Sequence, residues 1–135
     1  MTFGIQQIAS YIPKERDNNF NLTDKFDIDA DFITNKIGVE SRSNCNQASN
    51  VDLALEAIDQ LNFQTNQLDL IVVVSQNPDY KIPHTSAILH NKIGAPVTCM
   101  TFDISQGCSG YMHGLNIINS IMASNQLNQS LLITV

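Results

Sequence analysis

The sequence contains no tryptophan, few basic residues and no long apolar run. Seven Lys and Arg residues stand against thirteen Asp and Glu, and the formal net charge of −6 is the wrong sign for binding a phosphate backbone over a broad face. Because no run of about 18 apolar residues is present, we expect no transmembrane span. Residues 1–11 lack a basic segment followed by an apolar stretch, which argues against a secretory signal. The sequence therefore predicts a cytoplasmic protein with no nucleic-acid partner.

Cysteine is also scarce. Cys45, Cys99 and Cys108 are odd in number, and no two of them form a close pair such as C-x-x-C. This pattern predicts neither structural disulfides nor a metal site. Free cysteine commonly packs as a small buried side chain, and we expect this of Cys45 and Cys99.

What the chain does have is an alternation of strand and helix patterns over 135 residues, 43% of them apolar. Strands are predicted at residues 3–12, 39–43, 68–75, 100–104 and 131–135. Helices are predicted at residues 31–37, 50–61, 84–93 and 109–124. The helix at 50–61 follows an N-cap at Ser49. The run LDLIVVVS at 68–75 is typical of a strand buried on both faces of a parallel sheet. This order predicts an α/β fold with a mostly parallel mixed sheet.

Two further features concern the second half of the chain. Gly110 and Gly114 lie four residues apart in the predicted helix 109–124, a spacing that lets another helix or a substrate backbone approach closely. Residues 131–135 are predicted to be a buried strand with no polar tail after it, and natural domains seldom finish inside such a strand. We therefore expect the sequence to be a fragment of a longer enzyme.

Cys108 has the surroundings of a nucleophile. It lies where the predicted strand 100–104 gives way to a polar, glycine-bearing turn and then to a long helix. The amide groups and positive dipole end of a first helical turn favour thiolate over thiol. From these residues alone, a reactive thiol and a packed side chain both remain open. Asp103 is read as a turn residue or a helix cap, not as a general base.

Five segments resemble one known family. FDISQGCSGYMHGL at 102–115 is similar to the active-site region of the beta-ketoacyl-ACP synthase III group of the thiolase superfamily. The other segments follow in the family's order: IASYIP at 8–13, KIGVESR at 36–42, LDLIVVVSQNPD at 68–79 and IPHTSAIL at 82–89. The resemblance implies that residues 1–135 form a single amino-terminal thiolase-like domain, with a buried helix after the nucleophile.

The resemblance implies an activity as well. Cys108 matches the nucleophile that is acylated by acyl-CoA before a decarboxylating Claisen condensation with malonyl-ACP. Its backbone amide matches one of two oxyanion donors. Acyl-CoA is then a substrate, and no cofactor is implied. The family's catalytic histidine and asparagine belong to the second half of the fold, and His84, His90 and His113 do not match that histidine. We therefore expect the chain alone to be inactive in the full condensation.

Three more positions carry over from the family. Phe32 and Lys36 align with residues that contact the adenine end of CoA, although relatives more often have Trp and Arg there. The alternative is an ordinary amphipathic helix with a core Phe and a surface Lys. Ile82 matches a residue that crosses a homodimer interface and lines the partner's acyl pocket, and a smaller side chain there leaves room for a longer acyl group. An acyl carrier protein is the implied protein partner.

Other functions remain open at this stage. The chain could be a thiolase-like subunit completed by a separate chain, or a non-catalytic interaction domain. It could also belong to another condensing enzyme, such as a hydroxymethylglutaryl-CoA synthase or a polyketide synthase. The Ser105-Gln106-Gly107 run departs from the alanine-rich run of housekeeping synthases, which favours a specialised relative in lipid or polyketide-type biosynthesis.

Overall fold

The structure is a computed structural model that describes residues 4–135. Contacts within it divide the chain into two compact units. The larger unit contains the described residues up to Tyr11 together with Ala48–Val135, and the smaller unit is Ile12–Gln47. The larger unit holds most of the buried apolar side chains, and the smaller unit buries Ile33. The organisation of residues 1–135 as one domain stays a prediction.

Strands and helices alternate along the described chain. In chain order they are β1 (Arg16–Asn18), α1 (Thr23–Phe26), a π-helical turn (Phe32–Ile37), β2 (Ser41–Ser43), α2 (Asn50–Ile58), β3 (Leu70–Val74), α3 (Thr85–Lys92), β4 (Met100–Ile104), α4 (Gly110–Asn125) and β5 (Ser130–Thr134). Short 3-10 turns at Asn19–Leu22 and Thr65–Gln67 connect some of them. The predicted elements from residue 31 onward are therefore confirmed to within a few residues.

The larger unit is built on a parallel three-stranded sheet in the order β4-β3-β5. Parallel neighbours need a crossover connection, and α3 and α4 supply the two crossovers. All five side chains of β3 are buried, as its β-branched run predicts for a central strand. The parallel α/β sheet expected from the sequence is present.

Strand β3 divides its side chains between two cores. Ile71 and Val73 belong to a cluster with residues of α2, α3 and β5. Leu70 and Val72 belong to a second cluster with Ile118 and neighbouring residues of α4. Because successive side chains of a strand point to opposite faces, one short apolar run fills both cores. The result is a sheet with helices on both sides, whose carboxyl edge lies next to the start of α4.

The start of α2 carries a complete capping box. The Ser49 hydroxyl accepts a hydrogen bond from the Asp52 amide, and the Asp52 carboxylate accepts one from the Ser49 amide. Hydrogen bonds from the Ser49 hydroxyl and then from its amide lower the pKa of Asp52 from its ordinary value. This confirms Ser49 as the predicted N-cap.

Helix α4 packs closely on the sheet through its two glycines. A Cβ atom on Gly110 would clash with Val74 of β3, and one on Gly114 would lie 2.8 Å from a methyl group of Leu132 in β5. The close approach predicted from the glycine spacing is therefore made to sheet side chains, not to a second helix. Gly110, Gly114, Ile118 and Met122 form the buried stripe of α4, and its opposite face is exposed.

The smaller unit contains a two-stranded antiparallel ribbon and the π-helical turn. Asp17 of β1 pairs with Arg42 of β2, and their charged groups lie 3.6 Å apart while about half exposed, so this ion pair contributes at most about 1 kcal/mol. Ile33 in the π-helical turn is fully buried. The turn ends before Gly38, which adopts a left-handed φ of 68°, as the glycine after a predicted helix should.

The predicted strand at residues 3–12 is wrong over its described part, residues 4–12, which form no strand. Ile5, Ile8 and Ile12 recur every three or four residues, a spacing that lacks the period of two of a strand. Their side chains are 57%, 79% and 63% exposed. Phe3 lies outside the described residues.

The two cysteines expected to be buried differ. Cys99 is 7% exposed, and burial, followed by the charge of Asp69, raises the pKa of its thiol. Cys45 is exposed, so its predicted burial is wrong. It sits in a polar turn in which the Asn44 side chain accepts a hydrogen bond from the Asn46 amide and Asn46 has a φ of 53°. Such turns form at the surface, where their polar groups meet water.

Candidate active site

Cys108 lies in the turn between β4 and α4. The strand ends at Ile104 and the helix begins at Gly110, so the cysteine precedes the helix by two positions. The Gly110 amide donates to the Gly107 carbonyl over 2.8 Å, which closes the backbone around the cysteine. The thiol is free and exposed. Its exposure favours a reactive group over a packed side chain.

The first turn of α4 is not capped by a side chain. Ser109 occupies the N-cap position with φ −90° and ψ 0°, and it makes no side-chain cap hydrogen bond. Its hydroxyl instead accepts a hydrogen bond from Nε2 of Gln106 over 3.0 Å. The helix start therefore presents its positive partial charge beside Cys108 without a carboxylate or hydroxyl to neutralise it.

A cavity of about 310 Å³ opens at Cys108. Its walls come from the turn itself, from the start of α4, and from the residues at the carboxyl ends of β3 and β5. Besides Cys108 they include Val74, Gln76, Gln106, Gly107, Tyr111 and Thr134. In open α/β sheets, ligands bind outside the carboxyl ends of the strands. The cavity is therefore in the place where this architecture holds substrates.

Gln76 was not singled out from the sequence. It follows β3 by two residues, which is the signal that could have identified it, because residues just beyond parallel strands meet at one edge of the sheet. Its carboxamide lies against the turn: a Cβ atom on Gly107 would be 2.8 Å from Oε1 of Gln76. The structure adds Gln76 to the site.

Asp103 serves as a cap, one of the two readings open from the sequence. Its carboxylate accepts hydrogen bonds from the amides of Thr85 and Ser86, over 2.8 and 2.9 Å. These are the first amides of α3, so Asp103 fastens the start of that helix to β4. A carboxylate at a helix start is favourable both as an acceptor and for the helix dipole.

Phe32 and Lys36 lie together in the smaller unit. The Lys36 ammonium is 5.6 Å from the centre of the Phe32 ring, within cation–π range. Phe32 is 37% exposed and lines a cavity of about 290 Å³ whose walls also include Phe26 and Arg42. The structure thus brings together the two residues predicted to contact adenine, and their role in binding CoA stays a prediction.

Ile82 and the histidines stand apart from the Cys108 cavity. Ile82 is 85% exposed, precedes Pro83 through a cis peptide bond, and does not line the cavity. His90 lies within hydrogen-bonding distance of the Pro96 carbonyl, 2.9 Å from its Nε2. His113, five residues after Cys108, is exposed on α4. None of the three histidines is among the described residues that line the cavity.

Residues 4–135 contain neither a cluster of metal ligands nor a membrane-spanning helix. No group of three or more His, Cys, Asp or Glu side chains is placed to hold a metal ion in this described part of the chain. No helix within it is long and apolar enough to cross a membrane.

Comparison with known proteins points to one family. The family model for 3-oxoacyl-[acyl-carrier-protein] synthase III matches residues 102–135, which contain the Cys108 turn. The beta-ketoacyl-ACP synthase III of Neisseria meningitidis serogroup A is 31% identical over 134 residues, covering 96% of this chain and 42% of that protein. The synthase of Caldanaerobacter subterraneus is 33% identical over 136 residues, covering 96% and 40%. This chain is therefore similar, over nearly its whole length, to part of the synthase III enzymes.

A solved synthase structure supports the same assignment. The 3-oxoacyl-ACP synthase of Burkholderia xenovorans LB400 superimposes with a TM-score of 0.81 at 30% identity, covering 93% of this chain and 39% of the synthase. The thiolase-like α/β fold class predicted from the sequence is confirmed. The chain spans about two-fifths of the length of these relatives, so it corresponds to part of a synthase III.

Proposed function

We propose that this chain is the acyl-accepting part of an acyltransferase of the 3-oxoacyl-ACP synthase III type. The observation that carries the proposal is the exposed Cys108 thiol, which lies in a cavity and within the segment that the family model matches. The uncapped start of α4 supports it, because amide groups there stabilise negative charge. Cysteines in such electropositive, accessible positions are the reactive ones.

The proposed first step is a thioester exchange. The Cys108 thiolate attacks the carbonyl carbon of an acyl-CoA, a bond forms between that carbon and Sγ, and the bond to the CoA sulfur breaks. The proton lost by the cysteine ends on the CoA thiol. The backbone amide of Cys108 donates to the oxyanion of the tetrahedral intermediate, and losing such a donor costs about 100-fold to 1000-fold in rate.

The proposed second step needs residues beyond those at this site. Malonyl-ACP loses carbon dioxide, and its carbanion attacks the carbonyl carbon of the acyl group. The bond from that carbon to Sγ of Cys108 breaks, which releases 3-oxoacyl-ACP, and the departing thiolate takes up a proton from water. In the family this step uses a histidine and an asparagine, and no histidine lines the described cavity. We therefore propose that the chain alone stops at the acyl-enzyme, and that the complete cytoplasmic enzyme is a homodimer that meets its acyl carrier protein through other surfaces.

The proposal assigns Phe32 and Lys36 to the CoA end of the substrate and Ile82 to the acyl end. The Phe32 ring is exposed enough to stack on a base, and the Lys36 ammonium beside it suits a phosphate-bearing ligand. Ile82 is 85% exposed, as a residue reaching into a partner's acyl pocket would be before assembly. These assignments rest on the family resemblance together with that exposure.

Intact-mass measurement after incubation with a panel of acyl-CoAs tests the first step. We expect one acyl adduct per chain, formed equally by the 135-residue chain and by the longest reading frame that contains it. The adduct should disappear in Cys108→Ala. Cys45→Ala is the matched control, because Cys45 is the other exposed thiol and lies in a turn without a long helix behind it. An adduct that persists in Cys108→Ala, or that disappears in Cys45→Ala, contradicts the assignment.

A pair of lysine variants tests the CoA assignment. Lys14 is an exposed lysine of the same unit that does not line the cavity beside Phe32, so it serves as the control. We expect Lys36→Ala to raise the acyl-CoA concentration for half-maximal acylation by about twofold to fivefold, the equivalent of one exposed cation–π or charge contact. Lys14→Ala should leave it unchanged. Equal shifts in the two variants would contradict the assignment of Lys36 to the CoA end of the substrate.

A further inference from the structure

The wall of the Cys108 cavity combines apolar surface from Val74 and Val135 with several polar side chains. The polar ones are Gln76, Gln106, Tyr111 and Thr134. Two of these are carboxamides, each with donors and acceptors that must be paired when water is displaced. A chain of methylene groups offers them no partner.

Gln106 and Gln76 are held differently. The amide nitrogen of Gln106 already donates to the Ser109 hydroxyl, so this side chain is fixed to the start of α4. Gln76 lies across the backbone just before the nucleophile. A Cβ atom on Gly107 would be 2.8 Å from its Oε1, 3.4 Å from its Cδ and 3.8 Å from its Nε2. The carboxamide therefore lies beside the α-carbon of Gly107, the residue before Cys108.

The side chain of Gln76 is exposed, so water satisfies its carboxamide in the free chain. An acyl group entering the cavity displaces some of that water. Leaving a desolvated donor without a partner costs about 1 to 3 kcal/mol, whereas an oxygen atom on the acyl group restores the hydrogen bond. Sites that hydrogen-bond a substrate oxygen discriminate strongly against analogues that lack it.

We propose that Gln76 is a specificity-determining residue that favours acyl groups bearing a hydroxyl or keto oxygen near the thioester over plain alkyl acyl groups. The proposal rests on the acylation of Cys108 proposed above and names the class of acyl group for that site. Gln76 acts by contact with the acyl chain. It takes no part in the thioester exchange, which needs only the acyl-CoA and the Cys108 thiol.

The test uses butyryl-CoA and 3-hydroxybutyryl-CoA, which differ by one oxygen. Rates of Cys108 acylation are measured for both by intact mass, on the 135-residue chain and on the longest reading frame containing it. We expect the hydroxyacyl substrate to react about tenfold faster, the factor that corresponds to one net hydrogen bond. Gln76→Leu should reduce the ratio to about one. The ratio is taken within each variant, so a smaller folded fraction affects both substrates equally.

Gly107→Ala provides a second variant that leaves Gln76 in place. Its added methyl group must displace the Gln76 carboxamide, so we expect the ratio to fall as it does in Gln76→Leu. In a Gln76→Ala background the same change at Gly107 should have no further effect on the ratio. A further fall there would assign the preference to the shape of the turn and would overturn the role of Gln76.

The remaining outcomes are distinct. Adducts that form on Cys108 with a ratio near one in the parent chain, or with a ratio that Gln76→Leu leaves unchanged, overturn this inference and leave the proposed acylation standing. A complete lack of adducts with every acyl-CoA overturns the proposed acylation, and the specificity falls with it.

Discussion

Helices α2 and α4 both begin after a serine, but only one of the two serines caps its helix with its side chain. Ser49 has an extended backbone, with φ −75° and ψ 162°, and its hydroxyl and amide close a capping box with Asp52. Ser109 has a helical backbone, makes no cap hydrogen bond and has no acidic residue in the turn that follows. The first helix start is therefore satisfied by its own residues, whereas the second leaves its positive end beside Cys108.

The difference shows how the fold separates stability from chemistry. Capping stabilises a helix by satisfying its first amides, but it also neutralises the partial charge that a thiolate or oxyanion could use. At α4 the fixed position comes instead from packing, because Gly110 and Gly114 let the helix lie close to the strands. The comparison predicts that α4 depends on its glycines and α2 on its serine.

The largest effect should come from Gly110→Val. The added side chain would meet Val74 on a fully buried strand, and overpacking of this kind costs about 1 to 3 kcal/mol in the free energy of unfolding. Urea unfolding followed by circular dichroism measures it. Gly4→Val is the control, because nothing lies within 4 Å of a Cβ atom there, and its effect should stay within about 0.5 kcal/mol. Similar losses in the free energy of unfolding for the two variants would show that the close packing at Gly110 does not stabilise α4.

The packing of α4 also shows which features of the fold the sequence could predict and which it could not. The apolar run of β3 and the 3.6-residue pattern of α4 are local signals strong enough to give both elements and the turn that carries Cys108. The spacing of Gly110 and Gly114 predicted a close approach, but only the sheet order β4-β3-β5 shows that the neighbours are strands.

The features that the sequence did not predict have physical reasons as well. Gln76 reaches the Cys108 turn because β3 and β4 lie side by side and end at the same edge of the sheet. Its place two residues after β3 was the only signal for it in the sequence. Strand β1 is the polar run Arg-Asp-Asn, which has no alternation to detect and forms through its pairing with β2. Residues 4–12 are apolar in part, yet apolar content without a pairing strand does not make a strand.

A smaller effect separates the two serines directly. Ser49→Ala removes the capping hydroxyl of α2 and should lower the free energy of unfolding by about 1 kcal/mol, a common value for lost N-caps. Ser109→Ala removes a hydroxyl that accepts only from Gln106 and should change stability by less than about 0.5 kcal/mol. Urea midpoints of both variants at neutral pH test this. Equal losses would show that Ser109 stabilises the start of its helix as Ser49 does.

The smallest effect is a pH dependence confined to α2. Hydrogen bonds from Ser49 hold the pKa of the Asp52 carboxyl below its ordinary value, so the folded state binds this proton less readily than the unfolded state. The ionised carboxylate therefore stabilises the fold at pH values above the ordinary pKa of aspartate, near 4. This contribution is lost as pH falls through the lowered pKa of the folded state.

We expect the stability difference between the parent chain and Asp52→Asn to be full at pH 6 to 7 and to shrink as pH falls below about 4 and through the lowered folded pKa, as measured by urea midpoints across that range. Taking the difference between two chains cancels the titration of the other carboxylates. A difference independent of pH would show that the Asp52 charge does not act at the start of α2. Helix α4 has no acidic residue in its first turn, so the same titration has no counterpart at the start of that helix.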